Sequence, residues 1–193
     1  MKTAQQAVAL VLLLVSALLV SPASAQAPDF RVQVWGDIAA DFMARMDTYD
    51  SLRKKLEEGL PPLVVTDEPM DIMRAENALA RRIRAARAGV GQGAIFTPTI
   101  AWEFKKVLLL QLQMNGYIRA VIMDDNPGRF SHDITGRYPK DKSYSTVPGS
   151  ILAVLPALPD DVYYRFLGPH LVLHDTRANV ILDRIRCAIP CRD

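Results

Sequence analysis

Few residues in this chain have chemistry to offer, and they are spread along it. Met43 and Met46, and again Met70 and Met73, form two M-x-x-M pairs. Residues three apart on a helix are neighbours and thioether sulfur suits Cu(I), so these four are the candidate soft-metal ligands. The same spacing also serves a packed helix face, because methionine fills irregular core gaps, and Met46 already belongs to an apolar stripe. Cys187 and Cys191 are the two cysteines, in the run CAIPC. That run lacks the C-x-x-C spacing of a thioredoxin-like redox pair and reads as a small disulfide loop, with an intermolecular bridge as the alternative.

His170 and His174 are four apart, but on a strand they share a face at a separation of roughly 13 Å, too far to hold one ion. They are expected as ordinary histidines of a half-exposed strand. Asp124, Asp125, His132 and Asp133 have the side chains of an acid–base or metal cluster, and the first three are where an unfamiliar hydrolase site would lie. The adjoining Asn126-Pro127-Gly128 reads as a polar turn. Arg74, Arg81, Arg82, Arg84 and Arg87 make one helical segment basic, which predicts a solvated face, or alternatively a patch for an anionic partner. Trp35, Trp102 and the tyrosines read as packing residues.

Other chemistries lack their sequence marks. Gly89, Gly91 and Gly93 have neither the lysine of a phosphate loop nor the spacing of a dinucleotide fingerprint, and read as a flexible connector. No G-x-S-x-G elbow, H-E-x-x-H helix or C-x-x-C-H attachment site occurs. The formal charge of +2, from 23 basic and 21 acidic side chains among 193 residues, implies no nucleic-acid partner.

The N-terminus predicts export. Lys2 is followed by an apolar run from Ala7 to Val20, shorter than the roughly 20 residues that span a bilayer, then by Pro22 and Ala23-Ser24-Ala25. Residues 1–25 are therefore expected to be a cleavable signal peptide, cut between Ala25 and Gln26, with no transmembrane segment in the mature chain. An oxidising compartment fits the CAIPC disulfide.

The elements that must position these residues follow from periodicity. Ile38, Phe42, Met46, Tyr49, Leu52 and Leu56 recur at helical spacing between Asp37 and Glu58, and Gly59 with Pro61-Pro62 ends that helix. Thr66 or Asp67 is expected to cap a second helix carrying Ile72, Leu79, Ile83, Ala86 and Val90, with Glu68 in its first turn. Thr97-Pro98 caps a third, which runs to about Asn115 and is apolar enough to sit centrally. Tyr117 to Met123 is expected as a short fourth helix or an extension. After Asn126 the helical period fades apart from a turn at Pro148 to Leu155. Tyr163–Leu167, His170–His174 and Val180–Ile185 then read as three strands, joined by Gly168-Pro169 and by a polar turn at Asp175–Asn179.

The run from Leu158-Pro159 through YYRFLGPHLVLHDTRANVILDRI, with the patterns LPxLP, YRFxG, LxLxD and ANxIxD, resembles the ending of a family of uncharacterised secreted bacterial proteins. The LPPL and IRAARAG to GAIFTP stretches are similar to it as well. This resemblance implies a fold and an exported location, and assigns no active residue. The final meander is more distantly similar to small periplasmic proteins of nickel and cobalt homeostasis.

The expected fold is α+β, with an N-terminal bundle of three to four helices packed on a C-terminal three-stranded antiparallel β-meander. Residues 26–125 form the helical subdomain and 126–193 the loop-rich meander subdomain of one unit. The expected function is a non-catalytic periplasmic or secreted binding or assembly module, needing no cofactor, whose partner is another protein or an envelope component. The alternatives are a soft-metal-binding envelope protein and a hydrolase.

Overall fold

Helix α1 (Phe30–Glu57) turns Phe42, Met46, Tyr49 and Arg53 inward, a stripe at successive helical turns in which an arginine takes the fourth core position. It begins seven residues before the expected start, and its first turn carries no acidic side chain to mark it. Gly59 at φ +73° closes the helix, and the Leu60 N–H reaches the Glu57 carbonyl at 2.9 Å. The computed structural model describes residues 30–61, 67–117, 122, 133–138 and 144–191. The chain divides into two units, residues 1–32 and 33–193, and the core, sheet and clefts described below belong to the second.

Helix α2 (Pro69–Ala86) starts on a proline, and the residue before a proline is pushed out of helical geometry. Glu68, extended at φ −95°, is therefore the cap residue, and Asp67 is not; Thr66 lies outside the described residues. Ala75, Leu79, Ala80 and Ile83 form its buried stripe. Ala86, expected on that stripe, is exposed, and Arg87 is buried in its place.

Helix α3 (Pro98–Met114) begins as expected, with the Thr97 hydroxyl accepting the Ile100 N–H at 3.3 Å. It ends in a full Schellman motif, in which the Tyr117 N–H donates to Leu112 O at 3.0 Å and the Gly116 N–H to Gln113 O at 3.3 Å, with Gly116 at φ +63°. Ile100, Phe104, Leu108 and Leu112 are its buried stripe, but Trp102, Leu109, Leu110 and Met114 are exposed. The helix lies against the core on one side only, which corrects the expectation of a central helix. The expected fourth helix at 117–123 lies almost entirely outside the described residues. The turn expected at Pro148 to Leu155 contains the short α4 (Gly149–Leu152).

Strands β1 (Val162–Leu167), β2 (His170–Asp175) and β3 (Val180–Ile185) form an antiparallel meander in that order. Leu167 pairs with His170 across a two-residue loop whose first position, Gly168, sits at φ +56°, as the tight hairpin turns require. The fold is thus α+β, with helices and a C-terminal three-stranded sheet enclosing one main core. Phe42 stands at its centre, with ring centroids 5.0 Å from Phe104 and 5.5 Å from Phe96. A second, smaller cluster of Tyr138, Leu167, Val172 and Ile181 covers the other face of the sheet. There the segment 135–136 extends the sheet beyond β3: the Thr135 N–H donates to Ile181 O at 2.8 Å, and the Ile181 N–H to Gly136 O at 2.9 Å.

Register slips once. Leu173 pairs with Asp183 and His174 with Ile181, so Leu182 is an extra residue in β3. Side chains normally alternate between faces, but this bulge lets the consecutive Leu182 and Asp183 both face the main core, each fully buried.

Candidate functional site

Asp183 shows what that bulge achieves. Its Oδ2 accepts the main-chain N–H groups of Ile95 and Phe96, both at 2.8 Å, and its Oδ1 those of Gly93 at 3.0 Å and Arg184 at 2.8 Å. The glycine segment is therefore anchored, not a flexible connector: Gly93 at φ +92° turns the backbone so that its N–H groups converge on one carboxylate.

A second buried polar cluster joins α1 to the β2–β3 turn. The Tyr49 hydroxyl donates to Asp175 Oδ2 at 2.5 Å, and the Ala178 N–H donates to Oδ1 at 3.0 Å. Arg53 bridges outward, with Nη2 at 2.8 Å from Asp50, Nη1 at 3.4 Å from Asp161 and Nε at 3.9 Å from Asp175. Arg87 lies over the Tyr49 ring, 5.4 Å from its centroid, and donates to Leu182 O at 3.0 Å. Burial, reinforced by the adjacent Asp175 charge and hydrogen bond, raises the Tyr49 hydroxyl far above its ordinary value. Burial likewise raises Asp175, against the stabilising Tyr49 and Ala178 hydrogen bonds. Tyr49, Asp175, Arg53 and Arg87 are buried and engage one another, although the Nε atoms of Arg53 and Arg87 make no hydrogen bond among the described residues, and the cluster ties α1 to the β2–β3 turn as a structural clasp.

His174, expected on a half-exposed strand, is fully buried. Its Nε2 is 3.0 Å from the side-chain amide oxygen Oδ1 of Asn179, and its ring stacks on Tyr138 at 4.9 Å. Burial, aided by the Arg165 charge and opposed by the Asn179 hydrogen bond, lowers it to about 4, so the ring is neutral at physiological pH. His170 lies on the same face of β2 as the periodicity requires, and its Nδ1 accepts the Cys187 N–H at 3.0 Å. Cys187 and Cys191 are joined by a disulfide, with Cα atoms 5.4 Å apart.

Of the four methionines, Met46 is buried and Met43 is exposed, and both line a cleft of about 350 Å³ between α1 and residues 157–160. Asp47, Asp50, Arg53 and Lys54 share that cleft. Met70 and Met73 are exposed at the start of α2, and neither lines this cleft. Among the described residues no group of three or more His, Cys, Asp or Glu side chains is placed to hold a metal ion. Asp124, Asp125, His132, Ala25 and Gln26 lie outside the described residues.

The arginines of the second helix are largely braces. Arg82 donates to the carbonyls of Leu56 and Glu58 at 2.8 Å, Arg84 to Thr135 O at 3.0 Å and Arg74 to Asp71 at 2.6 Å. These contacts tie α2 to its surroundings and leave the segment little of the free cationic face that an anionic partner would need.

The surface feature that sequence reading missed is the outer side of α3. At 100° per residue, Trp102, Leu109, Leu110 and Met114 fall on the side opposite Ile100, Phe104, Leu108 and Leu112. Their exposures are 62%, 37%, 53% and 71%. The signal in the sequence is the run of apolar residues that continues past one face of the helix, interrupted by Glu103, Lys105, Lys106 and Gln113. Lys106 lies within this face, 2.6 Å from Glu103 and 6.0 Å above the Trp102 ring.

The fold and its surfaces define a helix-braced, disulfide-closed α+β unit. Comparison with protein-family models, with curated proteins and with solved structures gives no match to the chain. Among the described residues, no helix is long and apolar enough to cross a membrane.

Proposed function

We propose that this protein is a non-catalytic binding module that works outside the cytoplasm and docks another protein on the outer face of α3. The observation that carries this reading is the set of exposed apolar side chains, Trp102, Leu109, Leu110 and Met114, on the outer side of that helix, where Thr99, Lys106 and Gln113 lie among them. Trp102 to Met114 spans about 18 Å along the axis, the length over which a helix lays its anchors into a groove. Large exposed apolar patches mark interaction sites, and Trp and Met are enriched in protein interfaces. Lys106, the cation within the face, is neutralised by Glu103, so the face offers little attraction to anionic headgroups and favours an apolar protein surface over a membrane. The enclosure of His174, Asp175 and Asp183 supports the non-catalytic part, since these groups are spent on holding the fold. Export is supported by the residues 7–20 run with its A-x-A site and by the Cys187–Cys191 disulfide.

Placing a photo-reactive phenylalanine analogue at position 110, and separately at position 81 on α2, tests the docking face in intact cells. A discrete heteromeric adduct from position 110 that disappears with Trp102→Ala supports the reading. Adducts of twice the chain mass, lipid adducts, or equal labelling from position 81 contradict it. Intact mass of the protein recovered from the envelope tests export; a chain starting at Gln26 is the expected result, and a retained Met1 in the cytoplasmic fraction overturns it.

One observation favours a second reading, soft-metal binding: Met43 and Met46 line a single cleft. Cu(I) titration of the wild type against Met43→Leu tests it, and unchanged binding removes those ligands.

A further inference from the structure

Strand β1 is an edge of the sheet, with β2 as its one strand neighbour among the described residues. Along an antiparallel edge, alternate residues turn their main-chain N–H and C=O groups away from the partner strand. On β1 these are Val162, Tyr164 and Phe166: the Val162 N–H donates to Pro159 O at 3.2 Å, and Phe166 O accepts the Ser145 hydroxyl. The chain itself thus covers the edge at both ends and leaves a notch at Tyr164 between them. Beside the notch lies a cavity of about 490 Å³, lined by Tyr164 and Arg165 of the strand and by Val147, Leu152, Leu155 and Leu158. We propose that this notch binds the C-terminal end of an extended peptide, whose main chain pairs with Tyr164, whose last apolar side chain enters the cavity and whose carboxylate meets Arg165.

Hydrogen-bonding capacity is the first argument. The outward N–H and C=O of Tyr164 have no main-chain partner among the described residues, whereas its side-chain hydroxyl is placed, donating to Pro156 O at 3.0 Å. Tyr164 is buried, and buried main-chain groups require partners. A peptide running alongside supplies both, a C=O to that N–H and an N–H to that C=O, which is how a sheet edge recognises an extended chain. The segments at Ser145 and Pro159 limit what fits. A through-running strand would have to leave the edge at both ends, and a chain terminus at one only.

Charge complementarity is the second argument. The Arg165 guanidinium lies 4.6 Å from the ring centroid of Tyr144 and 5.1 Å from that of Tyr163, and its Nη1 donates to Ser145 O at 3.2 Å. These partners are neutral, so they fix the group without cancelling its charge, and its buried Nε makes no hydrogen bond among the described residues. A guanidinium fork matches a carboxylate. In a peptide running parallel to β1, the terminal carboxylate arrives about 3.3 Å beyond Tyr164, on the Arg165 side. The volume lies within the roughly 300–1,000 Å³ of ligand pockets, and its aliphatic lining suits an apolar last residue. The notch shares no residue with the outer face of α3 and stands or falls independently of it.

Titration of the oxidised protein with the peptide acetyl-Gly-Thr-Val-Leu, as the free acid and as its C-terminal amide, followed by amide NMR shifts, tests the proposal. Saturable shifts are expected at residues 146–147, 155–158 and 162–165, with the free acid bound about tenfold more tightly than the amide. Arg165→Gln is expected to abolish that difference. Ala157→Trp, which fills the cavity from an exposed position, is expected to weaken both peptides about tenfold with an unchanged melting temperature. Arg81→Gln, a change of an exposed cation on α2, should leave binding as it is. No saturable shift with the free acid, equal affinity of acid and amide, or a difference that survives Arg165→Gln overturns the proposal. Shifts confined to residues 102–114 belong to the α3 face and overturn it as well. N-acetyl-leucine binding as tightly as the longer peptide overturns the peptide assignment, because pairing with Tyr164 would then add nothing.

Discussion

Replacing Asp183 by alanine removes a carboxylate that satisfies three main-chain donors about ninety residues upstream in the chain. Ile95 and Phe96 are buried, so their N–H groups lose a partner where water cannot replace it, and Gly93 is partly buried. A buried donor left unsatisfied costs about 1–3 kcal/mol, so the two buried groups alone imply a loss of about 4 kcal/mol. That is a large part of the roughly 5–15 kcal/mol by which a domain is stable. With a urea slope of about 2 kcal/mol per molar, the unfolding midpoint falls by about 2 M, which Trp35 and Trp102 fluorescence can follow. Asp183→Asn keeps one acceptor oxygen and is expected to lose less. Arg184→Ala retains the carboxylate and should shift the midpoint little. A fall of less than about 0.5 M for Asp183→Ala would refute the claim that this carboxylate anchors the 93–96 loop.

Three further outcomes follow from the packing. His174 is lowered to about 4 in the fold and titrates near 6.5 when unfolded, so its contribution to stability is complete above about pH 6.5 and is lost as pH falls toward 4, by about 3 kcal/mol in all; urea midpoints at pH 7 and pH 4.5 measure this, and His174→Gln should flatten the difference. Phe104→Ala opens a void beside Phe42, Phe96 and Trp35 and should cost about 3–5 kcal/mol by chemical denaturation, with loss of near-ultraviolet dichroism. Gly136→Ala places a Cβ 2.7 Å from the Asp133 carbonyl oxygen, where backbone must move, and should destabilise by about 1–3 kcal/mol, visible as a lower melting temperature than that of Gly149→Ala, whose Cβ meets nothing.

Local chemistry made part of this fold legible. Thr97-Pro98 and Gly116 carry their own capping and stop signals, and Gly168-Pro169 its own turn, so α3 and the hairpin could be read within a residue or two. The buried charges could not. His174 and Asp183 look like the polar members of half-exposed strands, and Asp175 like the first residue of a polar turn, since local pattern treats every charge as solvent-facing. Their partners, Tyr138, Tyr49 and the 93–96 backbone, lie 36, 126 and up to 90 residues away and have no local mark. Arg53 and Arg87 entered the core by the same route. A single charge inside an otherwise apolar run, as in LVLHD and VILDRI, was the available signal. The bulge at Leu182 was hidden because it arises from pairing, and it is what turns Asp183 inward. The outer face of α3 was visible in composition, but only packing shows which side is left uncovered.

The account rests most directly on Trp102 as the anchor of a docking face. With the partner identified by cross-linking at position 110, calorimetry on purified proteins compares the wild type with Trp102→Ala. A buried aromatic anchor is worth about 2 kcal/mol or more, so the account predicts an affinity weakened by about thirtyfold with an unchanged melting temperature. An affinity within twofold of the wild type would contradict it.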